Sequence, residues 1–111
     1  MNIISRVENN IQYLEINESL SIYQSEEIKA TLLSLDWQHQ IVKFDLSHVD
    51  EIDSAGVQLL LMSAKAAREY GLSPIEITHS SKTREIFDLL HLDHHFDWHD
   101  PHTAEHGSIV Q

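Results

Sequence analysis

The stretch IVKFDLSHVDEIDSAGVQLLLMSAKAAREYG, residues 41–71, changes its period in the middle. In IVKFDL, residues 41–46, Val42, Phe44 and Leu46 share one face between polar residues, which predicts a strand at the centre of a sheet. From residue 54 to 70 the repeat becomes helical: Val57, Leu60, Leu61, Ala64 and Ala67 form one stripe, with Gln58, Lys65, Arg68 and Glu69 opposite and Gly71 as the C-terminal stop. A strand that feeds a helix through a short turn is the unit of an α/β sheet. Such turns lie at the carboxyl edge of the sheet, where sites are usually built.

The flanking sequence repeats that unit. IQYLEI, residues 11–16, alternates as a strand and is expected to pair with a first short strand around residues 3–7 through the turn-prone Asn9 and Asn10. A brief extended piece is expected at residues 20–23. Ser25 is then placed to cap a helix with Glu26 and Glu27 in its first turn and Ile28, Leu32 and Leu35 on its apolar stripe. Downstream, PIEIT at 74–78 reads as a strand, and Ser80 or Ser81 can cap a last helix with a stripe of Ile86, Leu89 and Leu90. The order β-β-α-β-α-β-α predicts one α/β domain, with a mixed sheet of four to five strands and helices packed against it. The domain is expected to span residues 1–97, and 98–111, which lose periodicity, are expected to form an irregular His-rich C-terminal tail.

Composition narrows the function. A chain of 111 residues with 41% apolar content holds one core. A formal net charge of -11, with Lys65, Arg68, Lys82 and Arg84 each diluted by nearby acids, argues against nucleic acid and anionic lipid as partners. The absence of cysteine removes thiolate chemistry and fits a reducing compartment. With no signal-like N-terminus and no apolar run near the ~20 residues of a membrane span, a cytoplasmic protein without membrane insertion is expected.

The turn itself gathers Asp50, Glu51, Asp53, Ser54 and Gly56. The simplest reading is structural: Asp53 or Ser54 caps the helix, and Gly56 lets a neighbouring element pack closely. His48, Asp50, Asp53 and Ser54 are the residue types of a hydrolase triad, but G-x-S-x-G is absent and triads assemble from distant segments, so no catalytic residue is assigned. Phosphate-binding loop signatures are absent as well, and no cofactor is expected. The remaining reading makes Ser54 a phosphorylation acceptor. A phosphoserine there gains from the helix dipole but adds about -1.5 to -2 charge beside Asp50, Glu51 and Asp53, so its main effect falls on whatever docks over the turn.

FDLSHVDEIDSAGVQLLLMSAKAAREYG followed by PIEITHSSKTREIFDLLHLDHHF resembles the STAS domain, the fold of bacterial anti-sigma factor antagonists, over about residues 10–97. The most specific part is the block D-L-S-x-V-x-x-I-D-S-A-G at residues 45–56, supported by the K-T-R-E-I-F-D-L-L-x-L helix. The resemblance implies that Ser54, directly after Asp53, is phosphorylated by a partner serine kinase of histidine-kinase-like ATPase fold that doubles as an anti-sigma factor. It implies too that the unphosphorylated form binds that kinase. On this reading Asp53 and Gly56 shape the turn, Asp50 and Glu51 set its field, and Gln58 joins them in the partner-binding surface. STAS domains also serve as a scaffold subunit of phospholipid-transport ABC complexes, where the partner is the transporter ATPase, and as modules near chemotaxis genes. One departure stands out: where the family often has Gly-Glu-hydrophobic-Asp after the second strand, this chain has Glu18, Ser19, Leu20 and Ser21.

Six of the nine histidines, at 91, 94, 95, 99, 102 and 106, crowd the last 21 residues. If the last helix continues, His91 and His95 share a face at the spacing of a two-histidine metal site. No third ligand is fixed by the sequence, so the cluster is read as a solvated polar tail and no metal site is assigned.

Overall fold

The computed structural model describes residues 2–38 and 41–99. The element order is β1 (Ile3–Glu8), β2 (Ile11–Ile16), α1 (Ser25–Ser34), β3 (Ile41–Asp45), α2 (Ser54–Glu69), β4 (Glu76–Thr78), α3 (Ser81–Leu90), a single 3-10 turn at Asp93–His95, and β5 (Asp97–His99). The strands form one five-stranded mixed sheet in the order β1-β2-β3-β4-β5. β1 runs antiparallel to β2 through a hairpin in which Asn9 and Asn10 both have positive φ, as a two-residue hairpin turn requires. All later pairings are parallel.

Burial alternates along the central strands. Gln12, Leu14 and Ile16 of β2, Val42 and Phe44 of β3 and Ile77 of β4 are buried, and Ile28 and Leu32 of α1, Leu60 and Ala64 of α2 and Phe87 of α3 join them in one core. The other sheet face carries a row of polar and aromatic side chains. Arg6, Tyr13, Lys43 and Glu76 lie in register across four strands, with the Arg6 guanidinium 4.1 Å above the Tyr13 ring and Lys43 3.7 Å from Glu76. The buried Gln12 amide is fully used: it donates to the carbonyls of Arg6 and Tyr13 and accepts from the Asp36 N–H.

The helix ends follow local chemistry. α2 stops in a Schellman motif, with Gly71 at φ 73, its N–H on the Arg68 carbonyl and the Leu72 N–H on the Ala67 carbonyl. α3 starts in a capping box: the Ser80 hydroxyl accepts from the Thr83 N–H and the Thr83 hydroxyl accepts from the Ser80 N–H. His79 supports that start, with Nδ1 2.9 Å from the Thr83 hydroxyl and its ring edge-on to Phe87; burial, then the Arg84 charge, lowers its pKa to about 4 and keeps the imidazole neutral.

Five expectations need correction. Ser25 does not cap α1: the N-cap is Gln24, whose side chain makes no capping bond, and the Ser25 hydroxyl donates to the Ile22 carbonyl instead. The extended piece at 20–23 reduces to one bridging residue, Leu20, followed by a turn. In α3 the residues that turn inward are Thr83 and Phe87, with Ile86 half-buried, while Leu89 and Leu90 are 69% and 48% exposed. Finally, α3 ends at Leu90 with His91 left-handed at φ 56, so His91 and His95 do not share a helical face, and residues 98 and 99 of the expected tail belong to the strand Asp97–His99 beside β4. Residues 100–111 of the expected tail lie outside the described residues. Among the described residues no cluster of three metal-ligating side chains occurs, and no helix is long and apolar enough to cross a membrane.

Candidate functional site

β3 delivers the chain to the carboxyl edge of the sheet, and residues 46–53 cross that edge before α2 begins. Leu46 and Val49 are buried and pin the crossing from below. The crossing is then sewn to the segment after β2. The Leu20 N–H donates to the Glu51 carbonyl at 2.9 Å, and the Asp53 N–H donates to the Leu20 carbonyl at 3.1 Å, with Leu20 and Ile52 forming a parallel bridge. Ser19 adds hydroxyl contacts to the carboxylates of Asp50 at 3.4 Å and Glu51 at 3.5 Å.

Gly56 explains why these two segments can meet. A Cβ at Gly56 would sit 2.2 Å from the Leu20 carbonyl oxygen and 2.9 Å from the Leu20 Cβ, so the first turn of α2 lies directly on the backbone at Leu20. The close approach read from the sequence is there, and its partner is the segment in which the chain departs from the family pattern. Leu20, which keeps the hydrophobic position of that pattern, is fully buried.

Asp53 is the helix cap, and it holds more than the helix. One carboxylate oxygen accepts from the Gly56 N–H at 3.2 Å, and the other accepts from the Ile22 N–H at 3.0 Å. The Ile22 amide, followed by those of Gly56 and Ala55, holds the Asp53 carboxyl below the usual carboxylate range. Asn is an equally good cap, but the two amides face different carboxylate oxygens, and in Asn one of these becomes an NH2 group, leaving one N–H opposite a donor. An Asp53→Asn variant is therefore expected to melt below the parent at neutral pH. Because the folded pKa is depressed, the carboxylate's contribution is present above its unfolded value of about 4 and is lost as pH falls through the lower folded value. The gap between the two melting curves should close in acid; a gap that persists to pH 2 would show that the charge plays no part.

Ser54, by contrast, is the first residue of α2 and is exposed, and its hydroxyl makes no hydrogen bond among the described residues. The capping role read for Asp53 or Ser54 thus belongs to Asp53 alone. Gln58 is exposed one turn along the same helix face as Ser54.

Next to the turn lies an open groove that the sequence did not disclose. Asp50, Glu51, Ile52 and Asp53 form one wall, Ser21 and Tyr23 a second, and Lys82, Glu85 and Ile86 of α3 the third. Neither Ser54 nor Gln58 lines it. Tyr23 and α3 are missing from a reading of the motif because they reach the turn only through the sheet and the Leu20 bridge. The one available signal was the pair of apolar residues, Ile22 and Tyr23, in a segment too polar to be core.

A protein-family model described as "Mlab, STAS domain" matches residues 6–98. No curated protein sequence matches the chain significantly. Among solved structures, the fold is similar to that of a Thermotoga maritima protein described as an anti-sigma factor antagonist, with 16% identity, 98% of this chain and 95% of that chain covered and a TM-score of 0.80. It is similar to a STAS domain protein of Planctomyces limnophilus, with 18% identity, 88% and 89% coverage and a TM-score of 0.73. The Bacillus cell-fate determinant SpoIIAA in its phosphorylated form matches at 16% identity, 98% and 99% coverage and a TM-score of 0.65. These likenesses concern the fold, whereas the family model spans most of the sequence itself: the chain belongs to the STAS domain family.

Proposed function

We propose that this domain is a phosphorylation-switched antagonist, in which an exposed Ser54 is the acceptor and a serine kinase of histidine-kinase-like fold is both modifier and partner. The observation that carries this reading is the division of labour at the turn. Asp53 caps α2 and the Ser54 hydroxyl is left exposed without a bond, so a phosphate can be added without removing a structural contact. The acceptor oxygen sits at a helix N-terminus, which favours the added anion, while the neighbouring carboxylates oppose it, so modification acts on the docking partner more than on the fold. Incubation with ATP and the histidine-kinase-like ATPase encoded nearest the gene should label the parent and leave Ser54→Ala unlabelled. Equal labelling of both would refute the assignment.

A second reading is favoured by the family description, which names Mlab rather than an antagonist. In it the domain is a constitutive scaffold subunit of a phospholipid-transport ABC complex, α2 presents Gln58, Lys65 and Arg68 to the transporter ATPase, and no phosphate is added. All three side chains are exposed. Co-purification with an ABC ATPase and no labelled Ser54 would favour this reading over the first.

A further inference from the structure

The residues beside the groove include an aromatic ring whose exposure has no structural explanation. Tyr23 is 91% exposed and Ile22, next to it, is 64% exposed. Single exposed apolar residues are common on loops, but these two are carried by a turn whose backbone is bonded on both sides of Tyr23. The Ile22 N–H is held by the Asp53 carboxylate, the Ile22 carbonyl accepts from the Ser25 hydroxyl at 2.9 Å, and the Gln24 N–H donates to the Ser21 carbonyl at 3.0 Å. The fixed turn thus presents two large side chains to solvent at little further entropic cost on binding, which is how an interface anchor is pre-organised.

The groove that Tyr23 borders has a definite charge. Asp50, Glu51, Asp53 and Glu85 line it against one ammonium, Lys82, which is already 3.8 Å from Glu85. Ile52 and Ile86 supply the apolar surface between them. A complementary occupant carries an apolar side chain for the isoleucines and positive charge for the carboxylates.

We propose that Tyr23, assisted by Ile22, is the principal anchor of this groove, and that the groove takes a partner segment in which an apolar side chain is flanked by lysine or arginine. The Asp53 carboxylate is then a positioning group for the anchor as well as a helix cap. This deepens the partner-binding reading above and rests on it only in placing the partner on this side of the molecule. The groove and Ser54 are separate contact zones, because Ser54 is not among the residues that line the groove.

The test uses the full chain and a fluorescein-labelled synthetic peptide, a 14-residue amphipathic helix of leucine and lysine, followed by fluorescence anisotropy. Its leucine and glutamate counterpart is the control. The parent should bind the lysine peptide and not the glutamate peptide. Tyr23→Ala should bind about tenfold more weakly with an unchanged thermal melt, and Tyr23→Phe should retain binding. Leu89→Ala, which removes another exposed apolar side chain, from α3 and outside the groove, should match the parent. Ser54→Asp should bind this peptide at least as tightly as the parent, which separates failure of the anchor from failure of the phosphorylation switch. Parent-like binding by Tyr23→Ala, an equal loss in Leu89→Ala, or equal binding of the glutamate peptide would overturn the proposal. So would a loss in Ser54→Asp as large as that in Tyr23→Ala, which would put the peptide on the turn.

Discussion

Replacing Gly56 by alanine is expected to cost about 3 kcal/mol of folding stability, the upper end of what overpacking a close contact does. The added methyl carbon would lie 2.2 Å from the Leu20 carbonyl oxygen, well inside contact distance, and that oxygen is backbone. Leu20 has no room to retreat. Its side chain is fully buried, its N–H is bonded to the Glu51 carbonyl and its carbonyl already accepts the Asp53 N–H. Either the first turn of α2 lifts away, breaking the Asp53–Leu20 bond and the Asp53–Ile22 contact together, or Leu20 is pulled from the core. In a domain of this size the loss corresponds to a fall in Tm of roughly 12 °C or more. Gly71→Ala is the internal control. Nothing lies within 4 Å of its Cβ position, and only its positive φ opposes the change, for about 1 kcal/mol. Chemical denaturation of the two variants checks this; equal losses would mean that the Leu20 segment yields and that the two segments are not locked together.

Ser54→Asp should weaken association with the partner protein by about 2 kcal/mol, or roughly 30-fold in Kd, whereas Ser54→Ala should keep most of the affinity. Ser54 makes no bond of its own, so alanine removes only a solvated hydroxyl. Aspartate instead puts a charge beside the ionised Asp53, under a surface fitted to a neutral group. Folding should scarcely change, because the capping bond comes from Asp53 and a carboxylate at the first helical position is favoured by the dipole. Calorimetric titration with parallel thermal melts measures both quantities. Equal affinities for the two variants would remove the electrostatic switch, and a large drop in Tm for Ser54→Asp would make Ser54 structural.

What was legible in the sequence was what short-range chemistry decides. The period change between residues 46 and 54, the stop at Gly71 and the cap at Ser80 each depend on neighbours a few positions away, and each is in place. The stripe of α3 was misjudged for two reasons: Leu89 falls outside the arc that Thr83 and Phe87 turn inward, and Leu90, which by spacing belongs to that arc, is the last residue of the helix and stays half-exposed, while Leu92, beyond the helix, is buried in the core. β5 carried no signal of its own, since three residues of mixed character become a strand only by pairing with β4. The cap by Asp53 and the close packing at Gly56 were readable in the turn at 49–56, but the second job of the Asp53 carboxylate was not. Its acceptor bond to Ile22 spans 31 positions and exists only because the sheet brings the two segments to one edge.

The hairpin at Asn9 and Asn10 has a practical bearing. It opens β2, and because β2 and β3 run parallel, it lies at the end of the sheet opposite the crossing at 46–53. Both asparagines are exposed. The hairpin is therefore a handle, and a fluorophore or a surface tether attached there would leave the whole of the opposite edge, with the candidate site, uncovered.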